Sequence, residues 1–337
     1  MFRIVLAVTV FFVTGSAYAD MGRSPTVSGV YVSVEGAYLH QRNASVRTFG
    51  LTSKADSSIQ EQFINAESGL SGGFTFGYAE NSRGILGYFD RVEASFSYAT
   101  LDASIDGSVD FPASDTSFAL TSLGQDAMGT FWCIGGDFAF ASLQRENYDW
   151  ALNLERDLIK SDAGSVTLGL SPFFRSSSED IETRVSMMDA EQVNTTRLDG
   201  LYYGANLTFE PEYKITPNIS LIGIFGGGAY GYSMNGRFQS DLSFYQEGDK
   251  ELDAVADVSD KINGFGFKAL LGAALKMHFS ETSRLTSYLT ADYWSHIGLA
   301  DLTTNSISVA EIKRSEIGSA DVWEIRTGFR YSVSISD

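Results

Sequence analysis

Charged residues occupy alternating positions in several runs of the chain whose intervening residues are apolar or small: Glu35, Arg91, Glu93, Asp137, Glu210, Glu212, Lys268, Lys276, Glu324, Arg326 and Arg330. Acids and bases are interleaved in this set. If the intervening residues face lipid, the charges project into the interior of a closed wall. There they can line a pore whose transverse field discriminates solutes by charge. The same set can instead pair off and plug the interior with a charge ladder.

No catalytic constellation competes with that chemistry. A nucleophile and its base must come within hydrogen-bond reach, and the three histidines, His40, His278 and His296, are dispersed. Asp292 and His296 fall on one face of a single strand but stand two pleats apart, beyond direct contact. The Gly226, Gly227 and Gly228 run lacks the lysine and the strand-to-helix switch of a phosphate loop. No histidine and cysteine spacing suggests a metal site, and Cys133, the single cysteine, permits no intramolecular disulfide. The expectation is a protein without catalytic residues, metal or cofactor.

The elements that must position the charges are strands. Residues 264–279 read GFGFKALLGAALKMHF, with Phe265, Phe267, Leu271, Leu275 and Phe279 on one face and Gly264, Gly266, Lys268 and Lys276 on the other. This is a period of two over a length that exceeds the ~9 to 11 residues needed to cross a bilayer. Tyr203, Leu207, Phe209 and Tyr213 alternate with Glu210 and Glu212 in the same way, and Trp323, Phe329, Tyr331 and Val333 with Glu324, Arg326 and Arg330. Aromatic residues gather toward the strand ends, as interfacial girdles require.

Residues 1–19 combine Arg3, an apolar stretch from Ile4 to Val13 and small residues at Ala17 and Ala19, the pattern of a cleaved export signal. Beyond it no apolar run approaches spanning length, and the whole chain's mean hydropathy of -0.05 with 20% charged residues rules out a bundle of membrane helices. A membrane protein of this composition must be a closed barrel, because only closure satisfies every backbone group in lipid. The net charge of -18 argues against nucleic acid as a partner and favours cations.

The expected architecture is all-β: a transmembrane antiparallel up-and-down barrel over residues 30–337, preceded by a short periplasmic segment at 20–29. Strands are expected at 30–40, 68–79, 87–100, 130–142, 147–158, 164–175, 200–214, 218–232, 263–279, 284–298 and 321–336. Barrels of this kind carry an even number, so the expectation is twelve, with ten or fourteen admitted. Short turns fall at 81–84, 215–218 and 280–283, and long polar connections at 41–67, 101–129, 176–199, 233–262 and 299–320. The acidic stretch 240–262 reads as a solvated surface loop, with collection of cations at a pore mouth or weak calcium binding as the alternative. Pro172 and Pro211 fall inside proposed strands, where tolerance requires a place near a strand end.

Arg326, Gly328, Tyr331 and Val333 resemble the polar, glycine, aromatic and apolar pattern by which the outer-membrane assembly machinery recognises a final strand, although such a strand usually ends on an aromatic residue and this one continues to Ile335. The run 200–232, GLYYGANLTFEPEYKITPNISLIGIFGGGAYGY, with DWALNLERDL at 149–158 and VWEIRTGFRYSV at 322–333, resembles the Legionella-type pore-forming outer-membrane proteins. That resemblance implies a single-chain barrel with porin-like activity. The functional expectation is passive diffusion of small hydrophilic solutes, with a preference for cations, in a cell outer membrane among its lipid and lipopolysaccharide. The alternatives are a surface structural or adhesive barrel with a plugged lumen and functional loops, and a barrel-embedded lipid or peptide hydrolase.

Overall fold

The computed structural model describes residues 29–335 apart from 43, 54–59, 66–67, 81–84, 86–87, 107–116, 126–130, 137, 188–189, 247–248 and 302–315. The export signal, nearly all of segment 20–29 and Asp137 lie outside the described residues. In chain order the strands are β1 (Gly29–Arg42), β2 (Ser45–Ser53), β3 (Gln60–Asn65), β4 (Ser68–Ala79), β5 (Arg91–Asp106), β6 (Ser117–Gln125), β7 (Phe131–Gly136), β8 (Phe138–Ser161), β9 (Gly164–Met187), β10 (Ala190–Thr216), β11 (Ile219–Gln246), β12 (Asp249–His278), β13 (Ser283–Asp301) and β14 (Glu316–Ile335).

Ten of them close a ring. The pairings run β1-β4-β5-β8-β9-β10-β11-β12-β13-β14, and β14 returns antiparallel to β1 from Arg42 opposite Trp323 to Val30 opposite Ile335. Ten is the lower end of the range the sequence admits. The short strands β2, β3, β6 and β7 pair mainly with one another and extend one rim. The opposite rim carries the tight turns around 162–163, 217–218 and 279–282, which makes it the periplasmic side of a barrel of this kind.

Most of what reads as long polar loop is strand. β9 runs on to Met187, and β10 begins at Ala190, so residues 176–199 are a paired hairpin. The acidic stretch 240–262 is likewise strand for most of its length, in β11 and β12, with Arg237 opposite Ser259 and Ser243 opposite Asp253. These segments keep the period of two but reverse its chemistry. On β9, Ile181 and Val185 point inward and are buried, while Asp180 and Arg184 point outward and are exposed. A polar outer face is that of a soluble sheet, so these stretches rise out of the membrane instead of looping across it.

The prolines sit within the strands rather than near their ends. Pro172 pairs with Ala205 on the β10 side, but the β8 to β9 ladder passes from Ala151–Phe173 to Leu154–Leu170 without it. Pro211 pairs with Val166, and the β10 to β11 ladder skips from Phe209–Phe225 to Glu212–Ile222. Each proline, lacking an N–H, is placed where one of its two ladders is interrupted.

Around the ring the outward residues of the lower wall form an apolar belt, including Phe74 and Phe76 on β4, Leu207 and Phe209 on β10, Leu271 and Leu275 on β12 and Phe329 on β14, all exposed. At its upper edge Phe96 stacks on Trp150 at 4.4 Å, Tyr98 on Tyr148 at 5.0 Å, Phe267 on Tyr293 at 5.4 Å and Tyr293 on Trp323 at 5.2 Å. Such a girdle marks the boundary between hydrocarbon and headgroups.

Candidate functional site

Ten of the eleven sequence-derived lumen charges, all but Asp137, point into the barrel, and none is more than 7% exposed. A side chain bordering a water-filled channel remains accessible to a water-sized sphere even inside a wall. These side chains are packed against one another. Near the periplasmic rim Arg330 donates to Glu35 at 2.8 and 2.9 Å, and the Tyr288 hydroxyl donates to the same carboxylate at 2.9 Å. Lys276 pairs with Glu212 at 2.6 Å, Arg91 with Glu155, and Tyr31 donates to Glu93. Glu210 is buried on the same face of β10.

At mid-wall, Arg175 is bonded to both Asp149 at 2.5 Å and Glu324 at 2.8 Å. Arg326 lies 3.3 Å from Glu324 and 3.6 Å from Asp149, and Gln41 donates to Glu324 at 2.9 Å. Lys268 pairs with Asp292 at 3.4 Å. Both Lys268 and Arg175 lie over the Trp294 ring, 4.3 and 4.2 Å from its centroid. One level higher, Arg145 binds Glu179 and donates to Gln41 at 2.7 Å. The sequence reading missed Asp149, Glu155, Arg145, Arg175, Glu179 and Asp292, although all six share the inward parity of their strands.

Among the described residues nine carboxylates and eight cations are buried, so the interior is close to neutral. The described interior thus contributes only about -1 to the chain's net charge of -18. Above the charged levels the interior turns apolar. Tyr202, Tyr230, Tyr232 and Trp294 pack edge-on or tilted, with centroids 5.2 to 6.5 Å apart, and Leu198, Met234, Phe238, Val258 and Ile317 continue a buried core beyond the membrane. Gly264 and Gly266 make room for it, since a Cβ at either would collide with the Tyr232 or Tyr230 hydroxyl. An internal void of about 20 Å³ beside Arg175, Lys268 and Trp294 has room for one water.

The histidines do not assemble. A bulge in β13 between Trp294 and Ile297 puts His296 outward at φ 59°, while Asp292 stays inward and buried, so the two do not share a face as the uninterrupted alternation implies. His278 lies at the periplasmic end of β12 and His40 near the outer end of β1. Outside the wall and above the girdle the surface is polar. Arg197 is bonded to Asp199 and Arg237 to Asp257, and each carboxylate raises the pKa of its guanidinium above the ordinary arginine value.

An apolar belt with an aromatic girdle around a sealed antiparallel ring decides the class. The chain is an outer-membrane β-barrel. No protein-family model and no curated protein sequence matches it. Among solved structures it is similar to the outer-membrane protease OmpT from Escherichia coli, at 8% identity over 93% of this chain and 99% of that one, with a TM-score of 0.41. It is also similar to a FadL homologue from Pseudomonas aeruginosa, at 8% identity, 97% and 100% coverage and a TM-score of 0.27. A third likeness is to Ail, the attachment invasion locus protein of Yersinia pestis, at 10% identity, 91% and 99% coverage and a TM-score of 0.19. At such identities and scores none of these proteins lends this barrel an activity.

Proposed function

We propose that this barrel is a closed-lumen anchor that holds an extramembrane β-extension on the cell surface, and that it acts by binding through that extension. The observation that carries this reading is the packing of the lumen: paired charges buried at membrane level, then a continuous apolar core above them. The porin-like activity implied by the resemblance to Legionella-type pore-forming proteins needs Glu35, Lys268, Arg326 and Arg330 to border water, and their burial argues against it. A near-neutral interior likewise gives little basis for cation preference inside the barrel. No catalytic step is assigned, in keeping with His296 outward, Asp292 inward and His278 at the other rim. The alternation of Arg326, Gly328, Tyr331 and Val333 on β14 supports its reading by the assembly machinery.

The test is single-channel current from refolded protein in a planar bilayer, with folding verified on the same sample. The expected record is flat. Discrete open levels would overturn the closed-lumen reading and return the inward charges to the role of pore lining.

A further inference from the structure

β13 leaves the wall just above the girdle. Its ladder with β12 ends at Lys268 opposite Trp294, although β12 itself continues up to Asp249. At the bulge between Trp294 and Ile297, His296 takes a left-handed φ of 59°, uncommon for a residue other than glycine, and the strand turns off across the mouth. By Asp301 it lies beside Arg47 of the rim strand β2. β14 goes with it, so that Ile297–Asp301 and Glu316–Ala320 form a short two-stranded arm over the interior.

Among the described residues the arm is held to the tall strands by side chains and not by a backbone ladder. The Tyr202 hydroxyl on β10 accepts from Gly298 N at 3.3 Å, Glu179 on β9 from Ala300 N at 3.4 Å, and Asp260 on β12 from Ile317 N at 3.0 Å. The seat is close: a Cβ at Gly298 would collide with Met234 Sδ, and one at Gly236 would meet Ile317.

The edge that β13 vacates is a second seat. Side chains stand in there for the missing strand: Phe267 N donates to Ser295 Oγ at 2.8 Å, and Lys261 N to the carboxylate of its neighbour Asp260 at 2.8 Å. In an antiparallel strand residues of one parity turn N–H and C=O to the same side, so Asn263 and Phe265, between those two, present theirs to this edge. Asp260 serves both seats, since one carboxylate oxygen caps the vacated edge and the other holds the arm.

We propose that the arm is a two-position switch: docked across the mouth as described, or raised, with β13 continuing its ladder along β12 past Lys268. Raising it uncovers Tyr202, Met234 and Phe238 of the upper core. The paired charges at membrane level stay in place, so a flat current record is expected in either position and the closed-lumen reading is tested separately. Spin labels at Asp180→Cys and Ser319→Cys, in full-length protein carrying Cys133→Ser, report the arm by their separation. The raised distance is about 10 Å longer, because the arm moves from beside β9 to beyond β12, three strand spacings of ~4.8 Å away. Tyr202→Phe with Asp260→Ala removes two acceptors and is expected to raise the ratio of raised to docked arm about twentyfold, at roughly fivefold for each hydrogen bond. Tyr202→Phe alone keeps the ring and is expected to give about fivefold. Amide exchange at Asn263 and Phe265 should slow in the same variants, as those groups gain partners. A single unchanged distance in both variants would overturn the proposal. So would a longer distance without slower exchange at Asn263 and Phe265, which would show an arm released but not reseated.

Discussion

Glu324 is a heavily shared side chain of the interior, accepting from Arg175, Arg326 and Gln41 at once. Buried ion pairs contribute little net stability, because desolvation offsets attraction, but removing one partner strands the other in a dry medium. Glu324→Gln is accordingly expected to destabilise the barrel by about 3 to 5 kcal/mol. The shift in urea midpoint at constant slope reads this directly. Arg184→Gln on the outer surface is expected to cost no more than about 0.5 kcal/mol, and equal losses in the two variants would sink the account. Side-chain direction was largely legible in sequence: parity alone turned ten named charges inward. Parity would also have found Asp149 and Glu155, which flank Trp150 and Leu152 in the same alternation. Arg175, at the edge of a proposed strand, and Glu179 were hidden because the polar run from Ser176 onward reads as connection.

At the level of elements, the strands most misjudged are the tallest. β11 spans 28 residues and β12 30, far beyond the ~9 to 11 a bilayer needs. Along β10 the inward side changes from Glu212, Glu210 and Thr208 to Tyr202 and Leu198, while the outward side changes from Tyr213 and Phe209 to Asp199 and Arg197. The strand continues without a break, and only the solvent on its outer face changes. A search for one phase of alternation stops where the phase inverts, and so ends each strand at the water line. Phe238, fully buried in the upper core, tests the upper half by itself. Phe238→Ala is expected to cost about 3 to 5 kcal/mol. The loss should appear as faster amide exchange at 233–242 on β11 while 221–229 stays protected. Uniform acceleration along β11 would mean that the two halves unfold as one unit.

For the whole molecule, the separation of charge has a measurable consequence. With a near-neutral interior, the excess of acidic over basic side chains on the described outer surface acts on whatever approaches from outside. Association with cationic vesicles or basic polypeptides is therefore expected to be fast at low salt. It should weaken steeply between about 0.01 and 0.15 M, as the screening length falls from roughly 30 to 8 Å. Salt-independent association would point to apolar contact instead. The closed ring itself was foreseeable from composition and alternation, since a membrane leaves no other use for such strands. Its exact circumference was not, because 130–142 reads as a wall strand of its own, whereas it holds the short rim strand β7 and the start of β8, which runs on through 147–158.

The seam between β1 and β14 makes the wall complete only when the Glu316–Ile335 strand is present. A premature stop codon before Glu316 would thus leave Gly29–Arg42 and Ser283–Asp301 each with a bare edge of backbone donors and acceptors. Such edges invite pairing with any neighbouring chain. Genetically, a late truncation would then behave worse than a deletion: the shortened product would clog export and surface assembly, where an absent one would leave them undisturbed.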